Sequence, residues 1–400
     1  MNQRKKWLPG SLPNPISSLG FLHIMNDGFL ASFPLLLPFI QKELGIGFGY
    51  VGFLSGLLGS AGVVLALPSS AIAVRYGGRR VLRFAIALYS MAFILTGASP
   101  NPALITLSFI VASVGFGLFH PIAFSVVARE SGGKEIGKKM GGFTAIGDIG
   151  RVGIAALATI LVAAVGWRSS AIVYGALPLS LLLFSTLFCR RPSAQGLKPD
   201  TTADKPHGLR YSLDFILAIV TGCIDALASS SLFIFIPFLL IHRGIPTALI
   251  GSLSGAFFIG NMLGKLVLGK VIDKFGCYRV FILAEIIMAG LLALLSVEKS
   301  TINIAVLSVF LGAVTRGTVP VINTIVTNSV PDRRLYEKAF GIVSFASGIS
   351  GVAAPILFGI MAERFGIVSV FLLSACFAIL AIVPVLVAIV SKHGISARNP

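Results

Sequence analysis

Gly52-Phe53-Leu54-Ser55-Gly56 and Gly251-Ser252-Leu253-Ser254-Gly255 are two copies of one pattern, 199 positions apart. The same offset lays Pro38-Phe39 on Pro237-Phe238, Gly77 on Gly276, Arg80-Val81 on Arg279-Val280, Pro121 on Pro320, Lys139 on Lys338 and Gly142 on Gly341. No insertion interrupts the alignment over five successive apolar segments, so the chain reads as a duplication. Two halves of six segments each imply a membrane protein whose halves rock about a central site.

Composition agrees. The 400 residues are 56% hydrophobic and 12% charged, with mean hydropathy +0.93; a soluble domain carries about 25% charged residues. Apolar runs near 16–40, 50–74, 81–98, 102–128, 140–164, 168–189, 213–241, 248–272, 280–297, 302–328, 338–362 and 367–391 are each long enough to cross a bilayer. They read as helices, because lipid offers no partner to an unpaired peptide group. The expected fold is all-α, with twelve transmembrane helices in two pseudo-symmetric bundles at 1–189 and 213–400. The polar stretch 190–212 reads as a cytoplasmic linker.

The net charge of +17 is a topology signal, not a nucleic-acid footprint. The N-terminus, the even-numbered loops and the C-terminus carry 24 Lys and Arg, against five in the odd-numbered loops. That asymmetry predicts two cytoplasmic termini. The four cysteines share no metal or redox spacing, and the first apolar run lacks a small-residue cleavage site, so it reads as a retained helix.

Two loops point to a family. Between segments 8 and 9 stands Gly269-x-x-x-Asp273-Lys274-Phe275-Gly276-x-x-Arg279, and between segments 2 and 3 stands Ser70-x-x-x-Val74-Arg75-Tyr76-Gly77-Gly78-Arg79-Arg80. Physically these are tight turns whose basic residues anchor helix ends at the headgroups. They resemble the signature loop of the major facilitator superfamily, and with the repeat the match spans almost the whole chain. The N-terminal copy departs from the pattern, with Val74 where the family usually has Asp. The resemblance implies that Asp273 docks near the start of segment 5 when the cytoplasmic side is shut, where a helix N-terminus favours an anion. Gly269, Lys274, Gly276, Arg279, Arg75, Gly77, Arg79 and Arg80 would complete that conformational lock.

Ionisable groups inside the segments are expensive and therefore candidate functional residues. His23 and Asp27, four apart on segment 1, share a helical face, and Asp27 falls near the bilayer midplane. They are the first proton-coupling candidates, and Asp225, the repeat counterpart of Asn26, is the next, with a purely structural role as its alternative. Arg316 on segment 10 either pairs with an acid or holds an anionic substrate. The family resemblance puts segments 1, 4, 7 and 10 around the cavity and so predicts that Asp27, Asp225 and Arg316 converge. Asp148 and Arg151, three apart on segment 5, read as an intrahelical ion pair or as substrate ligands. Asn26, Asn261, Lys265 and Asn323 complete the candidate substrate-binding set, although Lys265 could also snorkel to the interface. Glu285 is discounted as peripheral. His120-Pro121 reads as a gate or a packing pair near the cytoplasmic mouth rather than a metal ligand.

His23-x-x-Asn26-Asp27 and Gly115-x-Gly117-x-Phe119-His120-Pro121 further resemble the fosmidomycin-resistance type of bacterial efflux protein. Ile146-Gly147-Asp148-x-Gly150-Arg151 adds charges to the corresponding run of that branch, which implies a different substrate. Val111 stands where multidrug antiporters carry an Arg on segment 4. The expectation is a monomeric, proton-coupled antiporter in a bacterial inner membrane, exporting a small polar or anionic compound. The alternatives are proton-coupled import or uniport of an organic anion, and export of a metallophore. No nucleophile–base cluster, metal spacing or phosphate loop suggests an enzyme or a cofactor, and the proton gradient would supply the driving force.

Overall fold

The computed structural model describes residues 15–66, 68–130, 136–188, 211–330 and 335–396. Thirteen helices make twelve crossings among these residues. They are α1 (Pro15–Leu44), α2 (Phe48–Val64), α3 (Pro68–Tyr76), α4 (Gly78–Ala98), α5 (Pro102–Glu130), α6 (Ile136–Phe188) and α7 (Leu213–Ser229). There follow α8 (Leu232–His242), α9 (Thr247–Phe275), α10 (Cys277–Val297), α11 (Thr301–Ser329), α12 (Tyr336–Phe365) and α13 (Val368–Ser396).

Two crossings differ from the plain segments the hydropathy suggests. The second is broken between α2 and α3, and α3 opens on Pro68, which suits a first helical turn because its missing N–H would be unpaired there anyway. The seventh breaks at Ser230-Ser231 between α7 and α8. The fifth and sixth run together as α6, turning only at Gly166 with φ 79° and ψ 162°, a conformation glycine reaches without steric cost. Of the linker expected at 190–212, residues 190–210 lie outside the described residues. Ser212 caps α7 by accepting the Phe215 N–H at 3.2 Å.

Twelve crossings bring Pro15 and Ser396 to one face of the bundle, here the terminal face; the opposite face is the far face. The halves meet along two seams on the far-face side, α2 against α12 and α6 against α9. Here the duplicated motif finds its structural reason. A methyl group on Gly52 would collide with the Pro355 carbonyl, and one on Gly251 would collide with Thr159 and the Ala155 carbonyl. Ala156 and Pro355 are themselves repeat mates, so the duplication makes both the glycine and its seat twice. At the far end of the first seam the Gly49 N–H donates to Glu363 Oε2 at 2.6 Å, and in the second the Gly251 N–H donates to Thr159 Oγ1 at 2.9 Å.

The far-face turns are tied by arginines. Arg168 donates to the Gly97 and Ser99 carbonyls at 3.2 and 2.5 Å, satisfying the end of α4. Arg243 donates to the Ser296 and Glu298 carbonyls at the end of α10. Those carbonyls are repeat mates, yet the arginines come from non-equivalent loops. Large side chains such as Phe84, Leu157, Leu294, Ile302 and Phe310 stand exposed around the outside. That is the surface expected where lipid replaces water.

Candidate functional site

The charged groups of the N-terminal half converge on α1. His23 and Asp27 lie one turn apart and are each 1% exposed. They tolerate α6 so close because α6 carries Gly147 and Gly150 there. A Cβ on Gly147 would stand 2.5 Å from Asp27 Oδ2, and one on Gly150 would strike the Ile24 carbonyl. That contact brings Asp148 and Arg151 within reach of α1.

The resulting network uses every carboxylate oxygen. Asp27 Oδ2 accepts Arg151 Nη2 at 2.7 Å and faces His23 Nε2 at 3.2 Å. Asp27 Oδ1 meets His120 Nε2 at 3.0 Å and accepts Asn26 Nδ2 at 3.0 Å. Arg151 Nη1 donates to Asp148 Oδ1 at 2.8 Å, and Lys265 Nζ from α9 donates to Asp148 Oδ2 at 2.7 Å. Asp27, Arg151, Asp148 and Lys265 thus form one chain of charge from α1 to the other half.

His23 has a defined tautomer. Its Nδ1 lies 2.8 Å from the Phe143 carbonyl, which can only accept, so Nδ1 carries the hydrogen. Its Nε2 then faces Asp27. The ring stacks on Phe143 with centroids 4.3 Å apart, and Phe119 lies at 5.7 Å.

A cavity of about 340 Å³ between the halves adjoins this network. Its lining includes His120 and Arg151 together with Leu30, Pro34, Phe116, Ser229, Phe233, Phe258 and Asn261. The Arg151 guanidinium lies 5.7 Å from the centre of the Phe258 ring. His23, Asp27 and His120 also present ligand atoms within 4.8 Å of one another, a spacing that could hold a metal ion. Arg151 already supplies a full positive charge to the shared Asp27 oxygen, and a divalent ion would sit against that guanidinium. The donor set therefore suits a proton better than a metal.

Several expectations need correction. His120 lies deeper than the mouth, as a partner of Asp27 in the central cluster, and Pro121 follows it within α5. Lys265 does not snorkel but bonds Asp148 across the halves. Asp225 does not join Asp27: it lies against Glu285, which is fully buried rather than peripheral. Asn323 is exposed and absent from the cavity lining. The side chains of Arg316 and Arg79, and the surroundings of Gly269, lie outside the described residues. On the terminal face Asp273 is exposed, and Asp273, Lys274, Arg75, Arg80 and Arg279 form no ion pair among the described residues. Arg75 and Lys274 instead lie over the rings of Tyr76 and Phe275, beside the turn glycines Gly77 and Gly276.

The sequence profile described as Major Facilitator Superfamily matches residues 16–213 and 218–399. The chain belongs to that superfamily and is a multi-pass membrane transporter, not an enzyme. It is 25% identical over 367 residues to the Sialic acid transporter NanX of Escherichia coli K12, covering 87% of each chain. It is 32% identical over 122 residues to a Multidrug resistance protein B homolog of Mycobacterium tuberculosis, covering 30% of this chain and 23% of that protein. A variant of the nucleoside transporter NupG has the same fold, with TM-score 0.78 at 13% identity over 94% of this chain and 99% of that one.

Proposed function

We propose that this chain is a proton-coupled secondary transporter of a small organic anion, working by alternating access with both termini in the cytoplasm. The 24-to-5 basic asymmetry supports that orientation. The halves pack from the far face inward as far as the Asp148–Lys265 bond, and the terminal-face loops form no ion pair among the described residues, which supports a conformation open toward the cytoplasm.

The observation that carries the proton coupling is the His23–Asp27 contact. Nδ1 of His23 spends its hydrogen on Phe143, so a neutral ring turns a lone pair toward a carboxylate oxygen 3.2 Å away. Two acceptors face each other at that distance only with a proton between them. The proton and the Arg151 bond share one Asp27 oxygen here, so the proton weakens the hold of Asp27 on the guanidinium and lets another anion compete for it, and its departure leaves Arg151 to Asp27 alone. Arg151, Lys265 and His120 would receive it, with Asn261 on the cavity wall.

Charge counting sets the sign of coupling. Asp27, Asp148, Arg151 and Lys265 cancel, so an anion enters a buried neutral site at high cost unless a proton enters too. Proton and anion therefore bind together, which favours cotransport. Export in exchange for protons is the second reading, and it draws on the relative named for multidrug resistance.

Unenergised everted vesicles separate the two. An inward gradient of sialic acid, the solute named for NanX, or of another organic acid is imposed, and external pH is followed. Alkalinisation marks cotransport and acidification marks exchange, and Asp27→Asn removes either. Full substrate-driven proton movement by Asp27→Asn would refute the proposed proton site.

A further inference from the structure

The central cavity is chemically lopsided along the bundle axis. Its charged groups, His120 and Arg151, lie at the level of Asp27 on α1. Leu30 and Pro34 stand one and two turns further along α1, toward the far face where the halves close. Phe116 stands one turn beyond His120 in the same direction. Across the cavity, Phe233 and Phe258 form a ring pair with centroids 4.3 Å apart. The open end is charged, and the wall beyond it is mainly apolar and aromatic, with Ser55, Ser229 and Ser230 as its hydroxyls.

A solute entering from the open end therefore buries its apolar part ahead of its charge. The volume, about 340 Å³, lies near the lower limit of small-molecule sites, roughly 300–1,000 Å³. It admits one ring and a short side chain. The guanidinium over Phe258 places the cation at the edge of the aromatic wall, so a carboxylate reaching Arg151 holds its own ring against Phe233 and Phe258.

We propose that the substrate class is a compact amphipathic carboxylic acid, with one carboxylate on a small aromatic or alicyclic body, rather than a polyhydroxylated acid or a cation. This rests on the anion reading of the site given above. The carboxylate takes Arg151 from Asp27 as the proton arrives, and the ring fills the space between Leu30, Pro34, Phe116, Phe233 and Phe258. Ser55, Ser229, Ser230 and Asn261 offer partners to only a few hydroxyls of a polyhydroxylated acid, and the rest would press against the apolar side chains without water.

Thermal unfolding of the detergent-purified full chain tests this with 3-phenylpropionate, 3-phenylpropionamide, phenethylamine, acetate and N-acetylneuraminate. The expected result is a concentration-dependent rise in Tm with 3-phenylpropionate alone. Phe233→Ala, which leaves every charge in place, should weaken that response by roughly tenfold or more, and Arg151→Gln should remove it. N-acetylneuraminate binding better than 3-phenylpropionate, or no response to 3-phenylpropionate, overturns the substrate class and leaves the anion reading standing. Stabilisation by phenethylamine but by neither acid overturns both.

Discussion

At the residue scale, Arg151 holds the site together because it bridges two buried carboxylates at once. Removing one partner of a buried pair leaves the other charge uncompensated, which costs about 3–5 kcal/mol. Arg151→Gln should sit near the lower end, about 3 kcal/mol, since its guanidinium meets the cavity. Denaturant unfolding in detergent measures it. A cost below about 1 kcal/mol would mean that the two carboxylates find other partners. Restoring neutrality with Arg151→Gln and Asp27→Asn together should recover part of the loss. The sequence made His23 and Asp27 visible, because four-residue spacing fixes a shared helical face. It left their partners open, because which way α6 and α9 turn is a property of the packed bundle. Glu285 shows the same limit: depth along a helix is legible, but rotation about its axis is not.

At the element scale, the glycine seams decide how closely α2 can approach α12 and α6 can approach α9. Gly52→Val should force the first seam apart, since the added carbons meet the Pro355 carbonyl backbone, which cannot swing away. The expected outcome is higher far-face accessibility of a cysteine placed at Ser55, read as a faster rate of maleimide labelling. Gly255→Val, whose neighbours stand at 3.5 Å or more, is the control and should change labelling little. An equal response from both would remove the steric account. The duplication, the twelve crossings and most helix ends were legible, because a bilayer imposes length and the 199-residue offset repeats the turns. The breaks at 65–66 and 230–231 were not, since an apolar run gives no sign of where a helix interrupts itself among neighbours. The turn between the fifth and sixth crossings was legible, and a single glycine, Gly166, makes it.

At the scale of the whole molecule, one carboxylate joins the halves on the side where they close. Glu363, on α12, accepts the Gly49 N–H at 2.6 Å within the first turn of α2, where unpaired N–H groups and the helix dipole favour negative charge. Glycines at 47 and 49 leave the space that the carboxylate fills. This contact exists only while the far-face seam is shut, so it stabilises the conformation described here over one open to the far face. On the terminal face Asp273 is exposed and forms no ion pair among the described residues. Glu363→Gln keeps the shape and one acceptor oxygen but removes the charge, so it should weaken far-face closure by about 0.3–1 kcal/mol, a few-fold change in the open population. Glu363→Ala should do more, because it also empties the space. The measurement is the distance between spin labels at far-face positions on α2 and α12, taken with and without each substitution. The longer-distance population should grow in the order wild type, Gln, Ala. Identical distributions in all three would assign closure to the glycine seam alone.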